Sequence, residues 1–272
     1  MLWRFGTFAF VFILVRVISI IRRKPEDDES GELESYHQLS VFPKDEALHK
    51  FLKSAFHYYQ LLSGVEQLMF RKRLALLLKS KWFAGRKGLE VSDSMMLILG
   101  ATMVQISFGL RRFYFPKFNR VVVFPDVFYS RLFEQNLKGL TVYHSGIVLI
   151  SWPHFEHGFS NPNDKINLGL HEFAHALYLD YYGNRLMKNG FSRWTNVAMI
   201  VFDQMQHQLE GHFLRKYAAS NIHEFWAVCI EHFFEAPVEF RTELPQLYEA
   251  TARVLKQDMA KRVLSMQKLD ST

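Results

Sequence analysis

The chain contains almost no cysteine: Cys229 is the only one among 272 residues. No disulfide framework can form within one molecule, so stability must come from the core. A lone cysteine suits a reducing compartment and is most simply a small buried hydrophobe. The sequence also lacks internal repeats and long low-complexity tracts, which excludes repeat arrays and disordered stalks. Its net charge of +6 sits partly in clusters such as Arg71-Lys72-Arg73 and Arg111-Arg112. These are not interleaved with aromatics in a nucleic-acid-binding pattern, and they suit solvated helix faces or the flanks of a membrane. Nucleic acid is therefore not an expected partner. No small-x-small cleavage site lies near Ser19 to Lys24, which argues against a cleaved signal peptide.

Apolar residues are plentiful. Half of the chain is hydrophobic and 15% is aromatic, enough for one sizeable domain with an appendage. The appendage is N-terminal. Phe5 to Ile21 is almost continuously apolar, broken by Arg16. As a helix it spans about 26 Å, close to the roughly 30 Å of a hydrocarbon core. Leu2 extends it, and the arginines can snorkel. Residues 1–21 are therefore expected to be a single-pass, membrane-spanning anchor, in membrane contact over residues 2–21. Arg22-Arg23-Lys24 follows, and the positive-inside bias then places the rest of the chain in the cytoplasm. Residues 22–45 are polar, carry Pro25, Gly31 and Pro43, and read as a linker to a domain over 46–272.

Within that domain the spacing predicts helices over Asp45–Ser63, Val65–Ser80 and Ser92–Phe108, the last buried and capped by Ser92 or Asp93. Trp82 to Gly88 reads as a turn-rich connection. Arg120–Phe124 is a β-branched strand, and Leu140–Tyr143 and Gly146–Trp152 are expected to form a hairpin. Ser151 to Asn163 is rich in Pro, Gly and Asn and reads as a loop. Helices over about 192–215, 221–234 and 244–267 complete an α+β fold, mainly helical with a small mixed sheet.

The most informative stretch is His171-Glu172-Phe173-Ala174-His175, an H-E-x-x-H pattern. Positions i and i+4 lie on one helix face, so both imidazoles can reach one metal ion. Glu172 sits one step round, where it can meet a water at that metal, as in a zinc hydrolase. Leu168, Leu170, Phe173, Ala174, Ala176, Leu177 and Leu179 leave little solvent face on this helix. A merely exposed turn with two solvated histidines would not look like this, and buried His and Glu need partners.

A catalytic zinc takes three protein ligands. Glu224 and Glu231 are the candidates for the third, seven residues apart on one helix face among large apolar side chains. Spacing alone leaves alternatives open. Asn221-x-x-Glu224 also fits a capping box, and Glu231 could pair with Arg215 or Lys216. His154, His157, His207, His212 and His232 are expected in loops or at the surface.

The two motifs together resemble a known family. They are Asn167-Leu168-x-x-His171-Glu172-Phe173-Ala174-His175 and Tyr217-Ala218-Ala219-Ser220-x-x-x-Glu224-x-x-Ala227-Val228-x-x-Glu231-x-Phe233-Phe234-x-Ala236-Pro237. They are similar to those of the Mlc titration factor A family, or DgsA anti-repressors, which are zinc-dependent peptidases. The likeness runs over about 45–265. It implies a zincin-like metallopeptidase domain that is gluzincin-like, with Zn²⁺ on His171, His175 and Glu224. It also implies Glu172 as general base and Tyr217 as a donor to the oxyanion. Glu231 would orient a ligand imidazole.

Partners follow from the same resemblance: a peptide or protein substrate and a transcriptional repressor. An anti-repressor that sequesters such a regulator with little proteolysis is the rival reading. A metal hydrolase acting on a substrate other than peptides is another. The chain departs from the family in its apolar N-terminus, in Tyr178 where Asp is frequent, and in a shorter span between His175 and Tyr217. Order along the chain suggests Gly146–Trp152 as an edge strand on which an extended peptide could add.

Overall fold

Periodic apolar residues become helices wherever a cap and a core are both at hand. In the computed structural model, residues 35–131, 133–182, 185–207 and 211–270 are described. The N-terminal anchor expected over 1–21, and most of the linker, lie outside these residues. Among the described residues, no helix is long and apolar enough to cross a membrane.

The elements run α1 (Asp45–Ala55), α2 (His57–Gln60), α3 (Gly64–Leu78), β1 (Trp82–Gly85), α4 (Asp93–Ser107) and β2 (Arg120–Phe124). Then come β3 (Phe128–Ser130), β4 (Gln135–Leu137), β5 (Gly139–Val142), β6 (Ile147–Ser151), α5 (Trp152–Ser160) and α6 (Leu168–Tyr182). The last are α7 (Arg185–His207), a short 3-10 turn (Lys216–Ser220), α8 (Ile222–Glu235), α9 (Pro237–Glu243), α10 (Pro245–Leu255) and α11 (Met259–Asp270). The architecture is α+β, mainly helical with a small mixed sheet.

The sheet order is β1-β2-β6-β5, with β5 antiparallel to β6 and the other pairs parallel; β3 and β4 form a separate antiparallel pair. The expected β5–β6 hairpin is present and turns at Gly146, whose φ of +64° is the left-handed region that glycine occupies without steric cost. The expected edge strand is corrected. β6 is hydrogen-bonded on both sides, by β2 and β5, so β5 is the edge on that side of the sheet. The hairpin folds its first strand outward, and order along the chain cannot show that.

Other expectations shift for local reasons. Trp82 to Gly88 is partly strand, because β1 pairs with β2 from Trp82 to Gly85. The expected loop after Ser151 is α5: Pro153 suits a first turn, and Trp152, Phe155 and Phe159 share one face. The first predicted helix breaks at Phe56, whose backbone is extended. The last predicted helix breaks at Lys256 in the left-handed conformation, and α9 precedes it. The helix expected over 192–215 starts earlier and ends at His207.

α4 is buried on nearly every side, as expected, and Ser92 caps it by accepting from Met95 N–H. α6 packs against α4, α5, α8 and the β5–β6 hairpin. It is pinned to α8 by Trp226, whose Nε1–H donates to the Ala174 carbonyl at 2.9 Å. Trp226 meets Trp194 edge-on at 4.9 Å between centroids, and both are fully buried. Truncating either to alanine would cost about 3–5 kcal/mol. Cys229 is buried in α8, as expected of a small hydrophobe.

One polar clamp ties the C-terminus to α3. Glu66 closes the Ser63 capping box and also accepts from Arg262 at 2.6 and 2.9 Å. Hydrogen bonding from Arg262, opposed by burial and helped by Ser63, holds its carboxyl down at about 2. A lowered carboxyl stabilises the fold above its ordinary value and stops doing so as pH falls through the folded one. The clamp is therefore expected to be intact above pH 4.5 and lost towards pH 2. In acid unfolding followed by circular dichroism, Glu66→Gln should be less stable than wild type near neutrality and the two should converge below about pH 2. A constant gap at all pH values would refute the assignment.

Candidate metal centre

Asn167 starts the helix that carries the motif. Its side-chain oxygen accepts from Leu170 N–H at 2.9 Å, which caps α6. One turn later, His171 and His175 project from the same face, their rings edge to face at 4.8 Å. Their Nε2 atoms are 3.2 Å apart.

α8 brings the third group. Asn221 caps it, accepting from His223 N–H and Glu224 N–H. Glu224 does not complete a capping box: its Oε2 lies 3.0 Å from His171 Nε2 and 3.5 Å from His175 Nε2. Donors about 2.0–2.2 Å from a tetrahedral zinc lie roughly 3.3 Å from one another. The three separations straddle that value, so the donor set fits such an ion in chemistry and in spacing. Among the described residues this is the one such cluster of His, Cys, Asp or Glu.

The outer groups are equally well placed. Glu231 is 1% exposed and fully engaged. Its Oε1 accepts from His171 Nδ1–H at 2.8 Å and from Arg215 Nη2 at 2.5 Å, and its Oε2 from Asn167 N–H at 2.8 Å. The pairing with Arg215 and the contact with the motif histidine are thus both present. Asn167 also donates its side-chain amide to the Gly158 carbonyl and to Glu235, which links the site to α5 and the end of α8.

Glu172 is buried beside the His171–His175–Glu224 cluster, under β5. Thr141 Oγ1 donates to its Oε2 at 2.8 Å. Burial raises the carboxyl above the usual range, against the pull of both motif histidines. Gly139 leaves room for this side chain. A Cβ at that position would lie 2.4 Å from Glu172 Oε1, so any other residue would push the carboxylate aside. Tyr217 is half-exposed on the 3-10 turn, its ring 5.9 Å from that of His171. Burial raises its hydroxyl first, and the charge and hydrogen bond of Glu224 add to that.

Electrostatics tie the group together. Burial is the largest influence on His171 and disfavours its charge. Hydrogen bonds to Glu224 and Glu231, with the charges of Glu231 and Glu172, outweigh it and hold the imidazole up at about 10. Glu224 is held well below the usual carboxylate range, because both histidines overcome its burial.

The structure therefore brings His171, Glu172, His175, Glu224, Glu231 and Tyr217 to one place. Nothing in the sequence marks Thr141 and Gly139, because they lie on a strand about thirty residues upstream. Asn167 carried one, as an N-cap residue before an apolar helix. One expectation is corrected. His232 is fully buried, donating Nδ1–H to the Val228 carbonyl at 2.9 Å and packing against Phe213. Burial pulls its imidazole down to about 4. It sits on the inner face of α8, which a count of exposed histidines cannot foresee. Tyr178 is an aromatic prop, its ring perpendicular to those of His223 and Phe191.

The family model described as "Glucose-regulated metallo-peptidase M90" matches residues 33–256. An uncharacterised protein of Synechocystis sp., slr2042, is 26% identical over 211 residues, covering 71% of this chain and 77% of its own. Mlc titration factor A of Yersinia pestis is 25% identical over 222 residues, covering 74% of this chain and 82% of its own. The same protein from Yersinia pseudotuberculosis matches equally.

Proposed function

The chain belongs to the glucose-regulated metallo-peptidase M90 family, and from that premise we propose that it is a zinc-dependent peptidase with a zincin-like active site. The observation that carries the reading is the mutual spacing of 3.0, 3.2 and 3.5 Å among His171 Nε2, His175 Nε2 and Glu224 Oε2. These three side chains would hold the ion. When bound, zinc supplies Lewis acidity towards a water and the scissile carbonyl.

The remaining roles fall to this chain's own groups. Glu172 takes a proton from the attacking water and passes it to the leaving amine. Burial, which raises its carboxyl, suits a group that must hold that proton between the two steps. Thr141 fixes the carboxylate's rotamer. The Tyr217 hydroxyl donates to the oxyanion as charge develops, an interaction stronger in the transition state than in the ground state. Glu231 accepts from His171 Nδ1–H, which leaves Nε2 free to face the ion. Among the described residues β5 has an unpaired edge next to Glu172, and an extended peptide would add to it through backbone hydrogen bonds.

Two measurements probe the supporting groups. Gly139→Ala should keep its metal and lose roughly 10²-fold in kcat/KM, the cost of displacing a catalytic group by about 1 Å. Unchanged activity would remove Gly139 from the account. Glu231→Gln should weaken zinc binding about 10–100-fold in a chelator competition. Unaltered affinity would reduce Glu231 to a structural pairing with Arg215.

Residues 2–21 are proposed to tether the domain to a membrane on its cytoplasmic side. A reporter fused to the C-terminus should be active only in the cytoplasm; activity only outside would reverse the orientation. A second reading is favoured by the name Mlc titration factor A on relatives 25% identical. In that reading the domain sequesters a transcriptional regulator. Capture of such a regulator by Glu172→Gln as strongly as by wild type would show that the two activities are separable.

A further inference from the structure

One face of α3 is left without a partner among the described residues. Phe70, Leu74, Leu77 and Leu78 enter the core. On the opposite side Val65 is 80% exposed, Leu68 41%, Met69 40% and Leu76 57%. With Lys72 and Lys79, both exposed, they follow helical spacing along one face. The single acid of the helix, Glu66, is committed to Ser63 and Arg262. A surface helix with apolar residues on both sides has a second surface to cover.

The path of the chain says what lies nearby. His37 bridges to Phe83 of β1, and Gln38 Nε2 donates to the Lys79 carbonyl at 3.2 Å. The polypeptide thus enters the domain beside the C-terminal end of α3, next to Trp82, which is 42% exposed. Arg22 and Ser35 are separated by so few residues that the connection spans at most about 45 Å. Residues 5–21 before it are almost continuously apolar.

We infer that the Val65-Leu68-Met69-Leu76 face of α3 rests on an anionic lipid surface, with Lys72 and Lys79 against its headgroups. This goes beyond the peptidase reading and rests on the proposed tether. Apolar residues flanked by lysines on one helix face are the pattern of an interfacial helix. So small a face binds lipid weakly on its own, and a short tether supplies the millimolar effective concentration that lets it bind. A second copy is disfavoured, because stacking two such faces brings like charges together.

The test uses the full chain in phosphatidylcholine–phosphatidylserine vesicles. Cys229 is buried, so an environment-sensitive dye can be confined to Leu76→Cys or, as a control, to Ser192→Cys on α7. A lipid-borne quencher should quench the Leu76 label several-fold more than the Ser192 label. The double variant Lys72→Glu, Lys79→Glu should lose most of that difference while still sedimenting with vesicles. Sedimentation with equal quenching at both positions would overturn the docking face and leave the tether standing. Failure to sediment would overturn both. A dye already shielded before vesicles are added would overturn the docking face by giving it to the chain itself or to a second copy.

Discussion

Glu172→Gln is expected to retain its zinc and to lose peptide hydrolysis by on the order of 10³-fold, the scale of general acid–base catalysis. The amide has nearly the size of the carboxylate, so the contact with Thr141 and the fit against Gly139 survive. The three proposed ligands are untouched. What disappears is the ability to take a proton from water and return it to the amine. Metal analysis alongside kcat/KM separates the two effects. A variant that cleaves peptides at the wild-type rate would remove Glu172 from the mechanism. A variant that also loses zinc would show that Glu172 is not merely a base.

The second large effect concerns the ligands. His175→Ala or Glu224→Ala should weaken zinc binding by well beyond the 10–100-fold expected from loss of an outer partner such as Glu231. The reason is geometric: with one donor removed, two remain, and no other described histidine lies in the cluster. Competition with a chromophoric chelator measures it, and wild-type affinity in either variant would refute the donor set.

The same titration has a pH dependence whose sign follows from His171. Without metal its imidazole is held up at about 10 by Glu224 and Glu231, so a proton occupies the place of the ion. Zinc must displace that proton. Affinity should therefore rise roughly tenfold per pH unit between about 6 and 9 from this group alone. For the metal-free fold the sign is opposite. The paired imidazolium stabilises it fully below pH 6.5, and that contribution is lost as pH rises through about 10.

Much of this arrangement was legible in the sequence, for a physical reason. Side chains on a helix obey helical spacing, so His171 and His175 on one face, and Glu224 with Glu231 two turns apart, could be read directly. Spacing could not choose between the two glutamates, since both face the same way; the resemblance did. The structure places Glu224 against both imidazoles and Glu231 behind one of them. Thr141 and Gly139 were illegible, because which strand lies over a helix depends on how a hairpin folds. The edge strand was misassigned for the same reason. Local composition misled at α5, where Pro153 opens a helix instead of marking a loop. The buried His232 shows the limit of residue type as a guide to exposure: its surroundings, not its polarity, put it inside.

The central claim is that the cluster is a zinc site built to cut peptides. The most direct measurement is a peptide-library cleavage profile of the chelator-stripped full chain, followed as zinc is added back. No cleavage is expected in the stripped protein, and activity should saturate at one zinc per chain. Cleavage that is indifferent to zinc, or a zinc-saturated chain that cuts nothing in the library, would contradict it.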